Sequence, residues 1–229
     1  VSLVIEAQEI SFGYEAERPV LRGIRLQVRA GERVAIVGGN GAGKSTLLWC
    51  LLGLHRPSGV VRLFGVPPAA ARERVGVVFQ NPEDQLFMPT ILEDVALPLY
   101  NRGLPRQAAL ARAREALAAV GLEGEADRPA RRLSLGQRKR AAIAAALAMR
   151  PELLLMDEPT AELDGRSVRQ LGALLEALEV TLVMTGHDVE FLRRAARRAV
   201  MLEAGAVIAD GPAGQLLSDA GLLERAGLR

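Results

Sequence analysis

Between Gly38 and Thr46 the chain reads GGNGAGKST, a glycine-rich run closed by a lysine and two hydroxyl residues. Glycines let backbone N–H groups turn inward around phosphate oxygens, and a helix starting near Lys44 would add the positive end of its dipole. The Lys44 ammonium would then pair with the β- and γ-phosphates of a nucleotide, and the Ser45 hydroxyl would take a place on Mg²⁺. Much later, LLLMDEP sets Asp157 and Glu158 at the end of an apolar run. Asp157 would reach the Mg²⁺ directly or through water, while Glu158 would orient or deprotonate a water in line with the γ-phosphate. An Asp-Glu pair at a strand end also suits a helix N-cap, so the pair alone does not decide. In TGHDVEF, His187 lies just past another apolar run, where it too would contact the γ-phosphate.

That chemistry requires strands that stop at one edge and loops that lead into helices. RVAIVG (Arg33 to Gly38), RVGVVFQ (Arg74 to Gln80), LLLMD (Leu153 to Asp157) and TLVMT (Thr181 to Thr185) are short apolar runs of the buried-strand kind. KSTLLWCLLGL (Lys44 to Leu54) follows the first of them as a helix ended by Pro57. Strand, glycine loop and helix in that order make GGNGAGKST a P-loop. LVIEAQEISFGY and LRGIRLQVRAGE read as antiparallel strands, and VMLEAGAVIADG as a hairpin. After Gln80 the texture turns helical, notably in RQAALARAREALAAVGL (Arg106 to Leu122), with Gly121 as a C-cap. The expected fold is α/β: a P-loop NTPase with a RecA-like, mostly parallel sheet. It carries an N-terminal antiparallel β subdomain and an α-helical subdomain inserted at about residues 82–151.

Composition narrows the class. The 229 residues are 49% hydrophobic but only 3% aromatic, so the core must be aliphatic. Twenty-nine basic against 27 acidic residues give a net charge of +2, no general case for a nucleic-acid partner. The single cysteine, Cys50, excludes an internal disulfide and sits in an apolar run as core filling. No run reaches the ~18–20 apolar residues of a membrane span, and no basic leader precedes an apolar block at the start. RRAARR (Arg193 to Arg198) reads as a solvated helix face rather than a binding patch.

Taken in order, these pieces resemble an ATP-binding-cassette (ABC) ATPase domain over nearly the whole chain. Tyr14 in SFGY resembles the aromatic that stacks on adenine. Gly38, Gly39, Asn40, Gly41, Ala42, Gly43, Lys44, Ser45 and Thr46 resemble the Walker A motif. Gln80 resembles the Q-loop glutamine, LLLMDE the Walker B motif, AELD (Ala161 to Asp164) the D-loop and His187 the switch histidine. LSLGQ, from Leu133 to Gln137, resembles the signature usually written LSGGQ. The resemblance implies ATP and Mg²⁺ as ligands, with Glu158, His187 and Gln80 catalytic and Ser45, Gln80 and Asp157 around the metal. It also implies that Ser134, Gly136 and Gln137 act in trans, on the nucleotide of a second cassette in a homodimer or paired heterodimer. Two residues depart from the pattern. Leu135 replaces the first signature glycine, which is expected to reduce backbone freedom there, and Glu162 stands where the D-loop more often has a small residue.

VFQNPEDQLFMPTILEDV (Val78 to Val95) is similar to the Q-loop region of energy-coupling-factor importers, where a short helix with a Pro-acidic-x-Gln core follows the glutamine. Here that core is Pro82, Glu83, Asp84 and Gln85. The resemblance implies a peripheral subunit on the cytoplasmic face of the membrane, with an integral coupling subunit docked near Gln80–Met88 and a membrane component that binds the solute. Leu86, Phe87 and Met88 are expected to be exposed for that docking. Cobalt and nickel importers are the most similar group, with vitamin importers next; a soluble Fe–S assembly ATPase is the contrasting class. His55 and His187 form no local metal-ligand pattern with the scattered carboxylates, so no cobalt or nickel site is expected in this subunit. The residues after the last hairpin suffice for one or two helices, so no large C-terminal extension is expected.

Overall fold

The computed structural model describes residues 2–15 and 17–228; Val1 and Arg229, the ends of the expected domain, and Ala16 lie outside the described residues. Two compact units are present, one formed by Val1–Glu73 with Glu179–Arg229, the other by Arg74–Leu178.

The first unit opens with β1 (Leu3–Phe12), β2 (Leu21–Arg29), β3 (Arg33–Val37), α1 (Lys44–Leu51), β4 (Ser58–Leu63) and a short α2 (Pro68–Ala71). β1 lies between β2 and β4, antiparallel to both. In β2 buried Leu21, Ile24, Leu26 and Val28 are separated by exposed residues, the pattern of a sheet with one wet face. β4 has no apolar run in sequence and is mostly exposed; pairing with β1 rather than burial makes it a strand. α1 stops at Leu51, three residues before Leu54. Gly53 adopts φ +71° there, and the N–H groups of Leu54 and His55 bond back to the Trp49 carbonyl, so a glycine C-terminus ends the helix before Pro57 can.

The second unit follows with β5 (Val75–Val78), α3 (Ile91–Asn101), α4 (Arg106–Ala119), α5 (Leu135–Ala148), β6 (Leu153–Met156) and α6 (Gly165–Glu176). β5 and β6 are parallel, from Val75 beside Leu153 to Val78 beside Met156. All four residues of β6 are buried. α4 gives way at Val120 to Gly121 with φ +69°, the glycine end expected from sequence. Alanines dominate the buried face of α5 (Ala141, Ala142, Ala144, Ala145, Ala146 and Ala148), which permits close packing with few large side chains.

The chain then returns to the first unit through β7 (Thr181–Gly186), α7 (Val189–Ala195), β8 (Arg198–Glu203), β9 (Ala206–Pro212), α8 (Ala213–Leu216) and α9 (Ala220–Arg225). β3 runs parallel to both β7 and β8, and β9 is antiparallel to β8. With β7 and β8 on either side, β3 is buried nearly throughout, which explains its aliphatic sequence, and β7 is buried along its whole length. The β8–β9 hairpin turns through Ala204 and Gly205 at φ +45° and +81°. RRAARR is a helix face only in its first half. Arg193 and Arg194 close α7, but Arg198 opens β8 and grips both Asp210 oxygens at 2.7 Å, Glu32 at 3.1 Å and the Gln27 carbonyl at 2.8 Å. Cys50 is buried to 1% exposure, and burial pushes its thiol up to about 11. Among the described residues no helix is long and apolar enough to cross a membrane.

Candidate active site

In the first unit, the parallel strands β3 and β7 end side by side, with Val37 opposite Gly186. The loop 38–43 leaves β3 at that edge, and His187, exposed, leaves β7 at the same edge. Gly43 immediately precedes α1 at φ +99°, and a Cβ there would lie 2.8 Å from Leu21 Cδ2 and 3.2 Å from the Val20 carbonyl. Both conformation and space therefore demand glycine. Lys44 is buried, and its Nζ donates to the Gly38 carbonyl at 2.9 Å and the Gly39 carbonyl at 3.1 Å, which curls the loop around the ammonium. The Gly39 N–H donates to the Ala226 carbonyl at 2.6 Å, so the segment following α9 straps the start of the loop. No local pattern in the sequence announces that contact, which joins residues far apart in the chain.

Tyr14 stands beside this loop, 64% exposed, with its hydroxyl 3.3 Å from Thr46 Oγ1 and 3.4 Å from His55 Nε2. Its ring meets Phe12 and His55 edge to face, with centroids at 5.2 and 5.4 Å. Phe12 stacks on His55 at 4.7 Å, and Trp49 tilts against His55 at 5.5 Å. Sequence reasoning found the tyrosine and missed its support. The resemblance makes Tyr14 the adenine's stacking partner; on that expectation, losing the ~1–3 kcal/mol of base stacking in Tyr14→Ala should raise KM for ATP roughly 10-fold with little change in kcat, and Tyr14→Phe should not. Steady-state kinetics with all three proteins checks this; an unchanged KM in Tyr14→Ala would remove the ring from the adenine.

In the second unit, Asp157 and Glu158 leave β6 at the edge where β5 also ends, and the Asp157 N–H donates to the Val78 carbonyl at 2.9 Å. Gln80 follows two residues after β5, exposed. Glu158 is 8% exposed and has a left-handed φ of +41°. Neither acid caps a helix. Asp164 does that for α6, accepting from the Ser167 N–H at 2.7 Å, which holds its carboxyl below the usual range. Between them runs a tight turn in which the Ala161 N–H donates to the Glu158 carbonyl at 3.0 Å and Leu163 to Thr160 at 3.1 Å. Glu162 in that turn has φ +61°.

Ser134 is the N-cap of α5. Its Oγ accepts from the Gln137 N–H at 3.2 Å, and its own N–H donates to Gln137 Oε1 at 2.9 Å, a closed capping box. The Ser134 hydroxyl keeps its hydrogen for another acceptor, while Gln137 Oε1 is committed to the box. Leu135 needs no glycine in its place. It is the first residue of α5 and not left-handed, so its conformation makes no use of the backbone freedom that a glycine would add. The demand falls instead on Gly136, where a Cβ would lie 2.5 Å from Ser167 Oγ and 3.0 Å from Ser167 Cβ. Sequence reasoning also missed Lys139. Though it stands in a basic run, it is 4% exposed, and its Nζ donates to the Ala161 carbonyl at 2.7 Å and the Glu158 carbonyl at 3.3 Å. Burial holds the ammonium below the ordinary lysine value, with Glu162 and Glu158 opposing that shift.

Beyond Gln80, Pro82–Asp84 form the expected short helical turn, of the 3-10 type, capped by Asn81. Gln85 turns inward, accepting from the Phe79 N–H at 2.8 Å and donating to the Val77 carbonyl at 2.9 Å. Of the three apolar residues expected outside, Phe87 is 66% exposed, Met88 is half-buried, and Leu86 is buried at 7%. Leu86 is buried where its N–H closes the turn onto the Pro82 carbonyl at 3.0 Å. Beside Phe87 lies a groove of about 320 Å³, with Leu97, Pro98 and Met149 as apolar lining and Asp84 and Asp94 as acids. Asp94 Oδ1 accepts from the Phe87 and Met88 N–H groups, both at 2.8 Å, while Oδ2 has no hydrogen-bond partner. Burial pushes the Asp94 carboxyl up, against the pull of those two N–H groups.

Each unit thus supplies one part of what nucleotide hydrolysis asks for. The first holds a phosphate cradle and an aromatic shelf. The second holds an acid pair and a capped helix start. Ser45, Gln80 and Asp157 offer hydroxyl, amide and carboxylate oxygens, the donor chemistry that suits magnesium.

Comparison with known proteins agrees with this inventory. Residues 21–161 match the family model described as ABC transporter. The chain is 42% identical to the energy-coupling factor transporter ATP-binding protein EcfA of Methanothermobacter thermautotrophicus, covering 99% of this chain and 76% of that protein. It is 44% identical to the cobalt import ATP-binding protein CbiO of Rhodobacter capsulatus, covering 99% and 85%. Among solved structures, cbiO1 of Clostridium perfringens, described as part of the ABC transporter complex cbiONQ, superimposes with a TM-score of 0.86 at 32% identity over 100% of this chain and 96% of that one. A dimeric ATP-binding cassette in a post-hydrolysis state with ADP and Pi superimposes at 0.82 with 29% identity, over 91% and 98%.

Proposed function

This chain belongs to the ABC transporter family, and from that membership we propose that it is the ATP-hydrolysing subunit of an energy-coupling-factor importer. It works as one half of a cassette dimer on the cytoplasmic face of a membrane. The loop 38–46 cradles the phosphates, Lys44 pairs with their charge, and Tyr14 carries the adenine. Glu158 orients and deprotonates the attacking water, with Gln80 and His187 toward the γ-phosphate. Ser45, Asp157 and Gln80 would hold a magnesium ion, which would supply neutralisation of phosphate charge. Ser134, Gly136 and Gln137 meet the nucleotide of the partner subunit at the positive end of α5. ATP contacted from both sides holds the pair closed, and loss of the γ-phosphate releases it, a ligand-driven population shift.

The observation that carries the transport reading is the groove beside Phe87. An apolar trough with the exposed Asp84 along it suits a short helix with an apolar face and a basic residue, presented by an integral membrane subunit. Similarity to CbiO favours cobalt or nickel as cargo over a vitamin. The test is purification of the tagged chain from native membranes in mild detergent, with partners identified by mass. One small set of integral proteins retaining cobalt or nickel is expected. A Phe87→Asp substitution should strip that set away roughly 10-fold or more, as removal of a central aromatic anchor does. Several different solute-binding membrane proteins would point to a vitamin module, and soluble partners alone would overturn the transport reading.

A further inference from the structure

A lysine with 4% exposure, whose hydrogen bonds go to main-chain carbonyls rather than to a carboxylate, is an unusual resident of a protein interior. A buried ammonium is costly even when hydrogen-bonded, so a native fold keeps one where its donors have a task. At Lys139 the task is visible in what it grips. Its two acceptors are the carbonyls of Glu158 and Ala161, the two ends of one turn. The Glu158 carbonyl also accepts from the Ala161 N–H, so ammonium and turn share an oxygen. The gripped segment is strained: Glu158 and Glu162 both have left-handed φ, a region non-glycine residues seldom occupy unless their surroundings hold them there.

The lysine also has a fixed relation to the start of its helix. Lys139 is three residues past Gly136 and four past Leu135, so it lies on the same face of α5 as the first turn. From Ser134 to Lys139 the axial rise is only about 7.5 Å. The capping box stiffens this end, and the contact of Gly136 with Ser167 presses it against α6, whose own N-cap, Asp164, ends the gripped loop.

We propose that Lys139 is a positioning residue for hydrolysis. Its ammonium ties the head of α5 to the backbone of Glu158, so the aim of the hydrolytic carboxylate in one subunit follows the position of the helix start that meets the partner subunit's nucleotide. This rests on the roles given above to Glu158, Ser134 and Gly136. The lysine touches no reacting atom; it acts through the turn.

Two substitutions and three readouts test it in the full chain. Lys139→Met keeps length and apolar stem but loses the donors; Lys139→Arg keeps charge and donors. In Lys139→Met, kcat should fall roughly 10-fold while KM for ATP stays within about 2-fold, because misaim costs turnover rather than binding. Amide hydrogen exchange at Ala161 and Leu163 should rise by about 10-fold as the turn loosens. Thermal stability should change little, because relief of a buried charge offsets the hydrogen bonds lost by the Glu158 and Ala161 carbonyls. Lys139→Arg should recover part of both kcat and exchange protection. Unchanged kcat and exchange in Lys139→Met would overturn the proposal alone. So would a fall in kcat, ATP affinity and melting temperature together, which would mark a merely structural lysine. A native chain no faster than its Glu158→Gln variant would instead remove the reading of Glu158, and this proposal with it.

Discussion

Replacing Glu158 with Gln should leave ATP binding intact and slow hydrolysis roughly 10³-fold, within the range that loss of a general base produces. The change removes one charge and alters almost no volume. The +41° φ, the hydrogen bond from the Lys139 ammonium and the hydrogen bond from the Ala161 N–H all involve the Glu158 main chain, which the substitution leaves in place. The variant should therefore fold, bind Mg-ATP and stop. On the proposed cycle, nucleotide contacted from two subunits holds them together, so a chain that cannot cleave it should accumulate as a dimer in ATP, while the native chain returns to monomer as ATP is consumed. Phosphate release and light scattering on the same samples check both halves. Native turnover no faster than the variant would end the hydrolytic reading.

At the head of α5, Gly136→Val should reduce ATP turnover roughly 100-fold, a loss of the size expected when reacting groups are displaced by about 1 Å. The Ser167 hydroxyl can rotate away from a new Cβ, but Ser167 Cβ at 3.0 Å cannot, and the branched methyls of valine need room that α6 occupies. The helices must part, carrying Ser134 and the capping box out of place. By contrast, Leu135→Gly restores the commoner signature and should change turnover little, about 2-fold or less, while weakening the helix by ~0.5–1 kcal/mol. Paired measurement of kcat and denaturant midpoint in the two variants separates the cases. A Gly136→Val chain with native turnover would take the first helical turn out of the reaction.

The same two residues show what local pattern can and cannot reveal. Walker A, the acid pair and the capping box are each written within a few neighbouring residues, because backbone geometry and strand-end placement are local demands. Gly43 could be read this way, since the turn into α1 needs its φ. Which signature glycine matters could not, because the reason is Ser167 on another helix. Lys139 stands between two arginines and looks solvated; only packing of α5 against the Glu158–Ala161 turn buries it. Arg198 left its basic run for a strand because Asp210 and Glu32 await it there. Phe87 was expected outside and is, whereas Leu86 is buried where its N–H closes the turn onto the Pro82 carbonyl. β4 was invisible because an exposed strand is specified by its neighbour.

Cys50 has a practical consequence of another kind. It is the chain's one thiol, sealed in the core, where burial pushes its pKa up and keeps it in the protonated form. Maleimide dyes and spin labels therefore find almost no native nucleophile. A cysteine introduced at an exposed position such as Phe87 would be the lone reactive handle, and spectroscopic rulers can be installed with the native sulfur left where it packs.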